Sequence, residues 1–118
     1  MSATLPKAER LSGKKAIAAL MGNGRWDYTS HLRCCSAGGN GLEVSRMMVS
    51  VPKRNFKRAV KRNLLKRRIR EAYRLQKELL GAGFDVFFIY NSTEIATSRT
   101  IRDEMSVLLR KVADKSEA

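Results

Sequence analysis

KRNFKRAVKRNLLKRRIREAYR, Lys53 to Arg74, carries eleven of the chain's 24 Lys and Arg side chains and one acid, Glu71. Val60, Leu64, Leu65, Ile69, Ala72 and Tyr73 recur at steps of three and four, the period of one buried helix face. The other side carries Arg58, Arg62, Lys66, Arg70 and Arg74 at a strict spacing of four, with Lys61, Arg67 and Arg68 beside them. Each like-charge neighbour pair costs an isolated helix roughly 0.2–0.5 kcal/mol. Burying each large apolar side chain against a sheet returns roughly 1.5–3 kcal/mol, so the helix holds with its charge unneutralised. Solvated helix faces ordinarily mix signs, and this one does not, which marks a surface for a polyanion.

The whole chain, 118 residues with a net charge of +13, agrees with that reading. Its length suits one domain, residues 1–118, with 1–10 as an extended arm and 114–118 as a frayed tail. Such a charge points to nucleic acid, with an anionic membrane surface as the alternative. No apolar run approaches the roughly 20 residues needed to cross a bilayer, and MSATLPKAERLSGKK lacks a secretory apolar core, so the expected location is cytoplasmic. Cys34 and Cys35 are adjacent, which suits neither a disulfide framework nor spaced zinc ligands; in a strand they point to opposite faces. The single histidine, His31, could act as a general acid or base, but no second group is paired with it by spacing, so no catalytic centre is evident.

Working outward, Ser12 is a fair cap for a helix bearing Ile17, Leu20 and Met21 and ending at Gly22. Arg25 to Ser30 holds Trp26 and Tyr28, aromatics that pack under a loop or stack on a base. His31 to Ser36 reads as a first strand, turning through the glycine run 37–41 into a hairpin partner within 42–51 that Pro52 ends. Beyond the basic helix, which can run to Leu80, VFFIY is an apolar central strand. Thr97 or Ser98 caps a last helix with the face Ile101, Met105, Leu108, Leu109 and Val112. The order is α-β-β-β-α-β-α, helices packed on a sheet.

Ala59-Val60-Lys61-Arg62-Asn63-Leu64-Leu65-Lys66-Arg67-Arg68-Ile69-Arg70-Glu71, after Ser50-Val51-Pro52-Lys53, resembles the protein subunit of bacterial ribonuclease P. The family motif there reads approximately Lys-Lys-x-Gly-Lys-Ala-Val-x-Arg-Asn-Arg-x-Lys-Arg-x-x-Arg-Glu, and the Arg10-Leu11 start resembles the family's opening. Two departures stand out: Leu64 replaces a residue that is usually Arg, and the lead-in Lys53 to Ala59 lacks the glycine and is one residue longer. On the first helix, Ile17 and Met21 fall where the family usually has two aromatics lining a cleft.

The resemblance implies an α/β (α+β) two-layer sandwich with a left-handed β-α-β crossover, which ordinary chirality rules do not predict. It implies an enzyme subunit: a catalytic RNA removes the 5′ leader of precursor tRNA using Mg2+ held mainly by the RNA, and the protein assists without catalytic residues. The motif positions Arg62, Asn63, Lys66, Arg67 and Arg70, with Arg68 beside them and Lys53, Arg54, Lys57, Arg58 and Lys61 before them, are then expected to dock the catalytic RNA. Arg forks pair bidentately with phosphate and recognise shape. The leader is expected in a cleft near Ile17, Met21, Tyr28, His31 and Arg33. The implied partners are that RNA and precursor tRNA, with no membrane and no obligate protein partner. A structural protein clamping ribosomal RNA is the alternative, and a DNA binder would need more base-reading Asn and Gln than Asn63 and Gln76.

Overall fold

The computed structural model describes residues 5–116. Its centre is β4, Asp85–Tyr90, flanked by β2, Leu32–Ala37, and β3, Arg46–Ser50, with β1, Arg25–Tyr28, at the edge, giving the order β1-β2-β4-β3. β2 pairs antiparallel with β1 and β4, whereas β3 pairs parallel with β4, Val49 opposite Phe88. The basic helix α2, Ala59–Gln76, connects that parallel pair, and a 3-10 turn, Lys77–Leu79, extends it toward Leu80. α3, Ser98–Ser116, packs beside α2 on one sheet face. α1, Lys14–Asn23, lies on the other. The result is the expected mixed α+β sandwich.

Alternation along the strands divides the core. Leu32, Cys34, Met47, Val49, Val86, Phe88 and Tyr90 meet Leu65, Ile69, Ala72 and Tyr73 of α2 and Ile101, Met105, Leu108, Leu109 and Val112 of α3. Cys35, Phe87 and Ile89 project the opposite way, beneath Leu20 of α1 and Leu11. Gly24, which ends α1, is tightly enclosed: a Cβ there would stand 2.5 Å from the Leu20 carbonyl oxygen. Thr97 is the α3 cap, its Oγ1 accepting from the Thr100 N–H at 3.1 Å.

Five local expectations are corrected. The segment Arg25–Tyr28 is a strand, because the short polar turn through Thr29, whose N–H donates to the Leu32 carbonyl oxygen at 2.8 Å, closes a β1–β2 hairpin. The glycine run does not join hairpin partners: β4 inserts between β2 and β3, and Asn40 ties the run to the turn before β4, its N–H donating to the Gly83 carbonyl oxygen at 2.9 Å, and to the start of β4, its side-chain amide donating to Asp85 Oδ1 at 3.0 Å. Only Arg46–Ser50 of the stretch 42–51 is strand. The proposed arm is docked where it is described: Leu5 is buried, Lys7–Glu9 forms a 3-10 turn, and Arg10 bridges Met47 of β3, while residues 1–4 lie outside the described residues. Asp114 lies within α3, which continues to Ser116, and 117–118 lie outside the described residues.

Candidate nucleic-acid interface

Pro52 ends β3, and the Asn55 N–H bonds back to the Pro52 carbonyl oxygen at 3.1 Å. Phe56 then plugs into the core, its ring 5.8 Å from that of Tyr90, and fixes the lead-in to α2. Arg62 secures the same turn: its guanidinium donates to the carbonyl oxygens of Phe56 at 2.8 Å and Lys57 at 2.9 Å. Lys53, Arg54, Lys57, Arg58 and Lys61 are left exposed around the start of a helix whose first turn holds no acid. The N–H groups and dipole of a helix start favour negative charge, so cations crowded there are a mismatch that a bound phosphate relieves.

Further along α2, Asn63, Arg67 and Arg70, at i, i+4 and i+7, face a groove of about 950 Å³, with Glu71 beside them. Its other walls are β3 at Met47–Val49 and the N-terminal segment at Leu5 and Arg10 to Ser12. That segment is held by the Leu11 N–H on the Met47 carbonyl oxygen at 2.9 Å and by Lys77 on Glu9 at 2.8 Å. Arg10 thus joins the basic surface, a placement the sequence did not signal because it depends on docking against a distant strand.

The row at spacing four is not one open face. Arg62 is drawn into its lead-in, Arg74 pairs with Glu71, and Lys66 is half-buried. Arg68, expected among the RNA contacts, turns toward the segment before α3 and donates to the Ala96 carbonyl oxygen at 2.6 Å. Val60, counted in the apolar face, is 79% exposed, because the helix start projects past the sheet. The open set is Asn63, Arg67 and Arg70 with the lead-in cations.

On the opposite face the expected cleft is only partly assembled. Ile17 packs half-buried against the cluster under α1, Met21 follows one turn later and is exposed, and Tyr28 and Arg33 stand opposite each other in the β1–β2 ladder. The Arg33 guanidinium lies 5.2 Å from the centre of the Trp26 ring. His31 is not part of this surface. Its ring stacks on Tyr90, its Nδ1 lies 2.5 Å from Glu104 Oε2 on α3, and its N–H donates to Glu104 Oε1 at 2.8 Å. Burial would raise the Glu104 carboxyl, but donors from Thr29 and His31 outweigh it and hold the group below its ordinary value.

Cys34 and Cys35 do point to opposite faces. Burial, reinforced by Asp27 and Cys35, pushes the Cys34 thiol far up, and burial raises Cys35, so neither is a ready nucleophile. Among the described residues no group of three or more His, Cys, Asp and Glu is placed to hold a metal ion. Glu9, Glu71, Asp85 and Glu104 are each engaged by Lys77, Arg74, Arg46 and His31. These four carboxylates are committed within the protein. Among the described residues no helix is long and apolar enough to cross a membrane.

A basic helix bridging parallel strands, beside a groove to which Asn63, Arg67 and Arg70 contribute, offers charge that suits a polyanion. The family model for Ribonuclease P matches residues 5–113. The chain belongs to the ribonuclease P protein family. It is 37% identical to the ribonuclease P protein component of Porphyromonas gingivalis, over 92% of this chain and 86% of that one. It is 33% identical to that of Syntrophus aciditrophicus, over 92% and 90%. The ribonuclease P protein of Thermotoga maritima superposes with a TM-score of 0.77 at 26% identity, covering 87% of this chain and 96% of that one. A Staphylococcus aureus ribonuclease P protein shares the fold with a TM-score of 0.77 at 24% identity, covering 90% and 98%. Membership makes the chain an RNA-binding component of a tRNA-processing ribonucleoprotein, and the ribosomal alternative is not favoured. Within the ribonuclease P fold, the motif from Ala59 to Glu71 forms the first three and a half turns of α2.

Proposed function

We propose that this protein is one RNA-binding domain of a cytoplasmic ribonuclease P whose catalytic centre is RNA. It docks that RNA through α2 and its lead-in and holds the 5′ leader of precursor tRNA on the α1 side of the sheet. The observation that carries this is the separation of the two surfaces. The exposed Asn63, Arg67 and Arg70 face the groove beside β3, while Ile17, Met21, Tyr28 and Arg33 lie with α1, across the sheet from α2. A protein between two polyanions lowers their repulsion and helps retain the divalent ions of the reaction. Magnesium belongs to the RNA partner in this reading, since the described residues gather no group of three or more His, Cys, Asp and Glu side chains. His31 serves as part of a turn and α3 contact, and no protein residue takes a catalytic role.

The test is reconstitution of the purified protein with its cognate RNA and a labelled precursor tRNA. The expected result is magnesium-dependent removal of the leader by the complex, tighter binding of precursor than of mature tRNA, and no cleavage by RNA-free protein. Cleavage by rigorously RNA-free protein would overturn the assignment of catalysis to the RNA. Equal affinity for precursor and mature tRNA would overturn the leader cleft.

A further inference from the structure

The alternation of β1 turns Trp26 and Tyr28 toward α1, because their ladder partners are Cys35 and Arg33 and Cys35 lies in the cluster under α1. Trp26 is anchored against that cluster. Tyr28 stacks on it with ring centres 6.4 Å apart and planes at 21°, yet 53% of Tyr28 remains exposed. β1 is the edge of the sheet, so the pair stands at the rim of the cleft. Arg33 completes the group. Its guanidinium is held by the Trp26 ring at 5.2 Å, its buried Nε finds no hydrogen-bond partner, and no acid among the described residues forms a salt bridge with it. A cation held by a ring keeps its remaining donors for an incoming anion.

We infer that Tyr28, laid over Trp26 and flanked by Arg33, is a stacking platform for one unpaired base of the bound leader, with Arg33 on the adjoining phosphate. An exposed ring beside an unpaired cation matches the two chemistries of a single nucleotide, a flat base and a charged phosphate. The inference rests on the proposed leader cleft and adds to it. Ile17 and Met21 bring no ring to the cleft, so the aromatic grip comes from the sheet edge and not from α1. The hold on the leader therefore depends on a base being present at one position, beyond any dependence on leader length.

Trp26 is the chain's single tryptophan, so its emission reports on this site in the assembled complex. The reconstituted holoenzyme is titrated with precursor tRNA, with precursors carrying one abasic nucleotide at successive leader positions, and with mature tRNA. One abasic position should weaken precursor binding roughly five- to a hundred-fold and abolish the change in Trp26 emission. Tyr28→Ala should bind the intact precursor as weakly as wild type binds that abasic one, and should no longer distinguish the two. Tyr28→Phe should retain the discrimination. If wild type distinguishes precursor from mature tRNA but tolerates every abasic position, and Tyr28→Ala behaves as wild type, the platform is wrong while the leader cleft stands. If wild type does not distinguish precursor from mature tRNA, both fall.

Discussion

The Arg62 guanidinium donates to the Phe56 carbonyl oxygen at 2.8 Å, closing the turn between β3 and the basic helix with a cation of the helix itself. The same group reaches the Lys57 carbonyl oxygen, and Phe56 is anchored in the core, so the path of the longer lead-in is fixed from both ends. One motif cation therefore shapes the candidate interface by holding the turn that leads into it.

Arg62→Ala should lower stability by roughly 1–2 kcal/mol, since two charge-assisted bonds to the turn disappear and one of them is exposed. Arg62→Lys should recover part of that, because an ammonium reaches a carbonyl oxygen without reproducing the guanidinium geometry. Thermal melting of the protein without RNA reads this directly. An unchanged melting temperature for Arg62→Ala would mean that the turn holds itself.

Arg67→Ala with Arg70→Ala should behave differently. Both side chains are exposed beside the groove, and removing them relieves repulsion on α2, so the melting temperature should hold or rise slightly. Docking to the RNA subunit should weaken, and the slope of log affinity against log salt should shrink by roughly 0.7–0.9 for each phosphate the protein no longer neutralises. Filter binding at several salt concentrations measures it. An unchanged slope would remove these residues from the interface.

How far the sequence disclosed this arrangement depends on whether a feature is local. The apolar faces of α3 and most of α2 were legible because helix periodicity is written within a few turns, and VFFIY was legible as a central strand because both its faces are buried. β1 was not, since RWDY is short and edge-placed, too brief for its alternation to stand out, and its strand character comes from pairing with β2. The insertion of β4 between β2 and β3 is a non-local choice, so the glycine run looked like a hairpin turn when it is a strap tied by Asn40 to the turn before β4 and to its start. At the candidate site, charge singled out the basic helix but not which of its cations are open. Arg68 and Arg62 look like their neighbours in sequence and differ because Ala96 and Phe56 offer them carbonyl oxygens. His31 left the cleft because Glu104, on a helix distant in sequence, takes its ring and its N–H.

Glu104 should make the β1–β2 turn acid-sensitive. Its folded-state carboxyl is held below the unfolded value, so the stabilisation is present above the unfolded value and is lost as pH falls through the folded one. Wild type should be more stable than Glu104→Gln near neutrality, and the gap should close as pH falls from about 5 to about 3. Melting curves for the two proteins across that range, compared as a difference so that other carboxylates cancel, provide the check. A gap that does not change with pH would show that the charge on Glu104 contributes nothing.

The last prediction separates two positions that sequence alone treats alike. Ile17 and Met21 lie one turn apart on one stripe of α1, and both stand where the family usually carries aromatics. Ile17 is half-buried against the cluster that contains Phe87 and Ile89, whereas Met21 is exposed. A phenyl ring at position 21 can therefore lie on the surface without displacing core, while one at 17 must push into packed side chains, which typically costs about 1–3 kcal/mol. Met21→Phe should leave the melting temperature unchanged and tighten precursor binding by the holoenzyme, adding a second stacking surface to the one inferred at Tyr28. Ile17→Phe should lower the melting temperature, with any gain in leader binding offset by that disruption. Affinities for precursor and mature tRNA, measured beside melting curves for both variants, decide it. If both substitutions tighten precursor binding equally and neither alters stability, the packing under α1 is looser than the burial of Ile17 indicates. If Met21→Phe strengthens mature and precursor tRNA alike, the contact it makes is not with the leader.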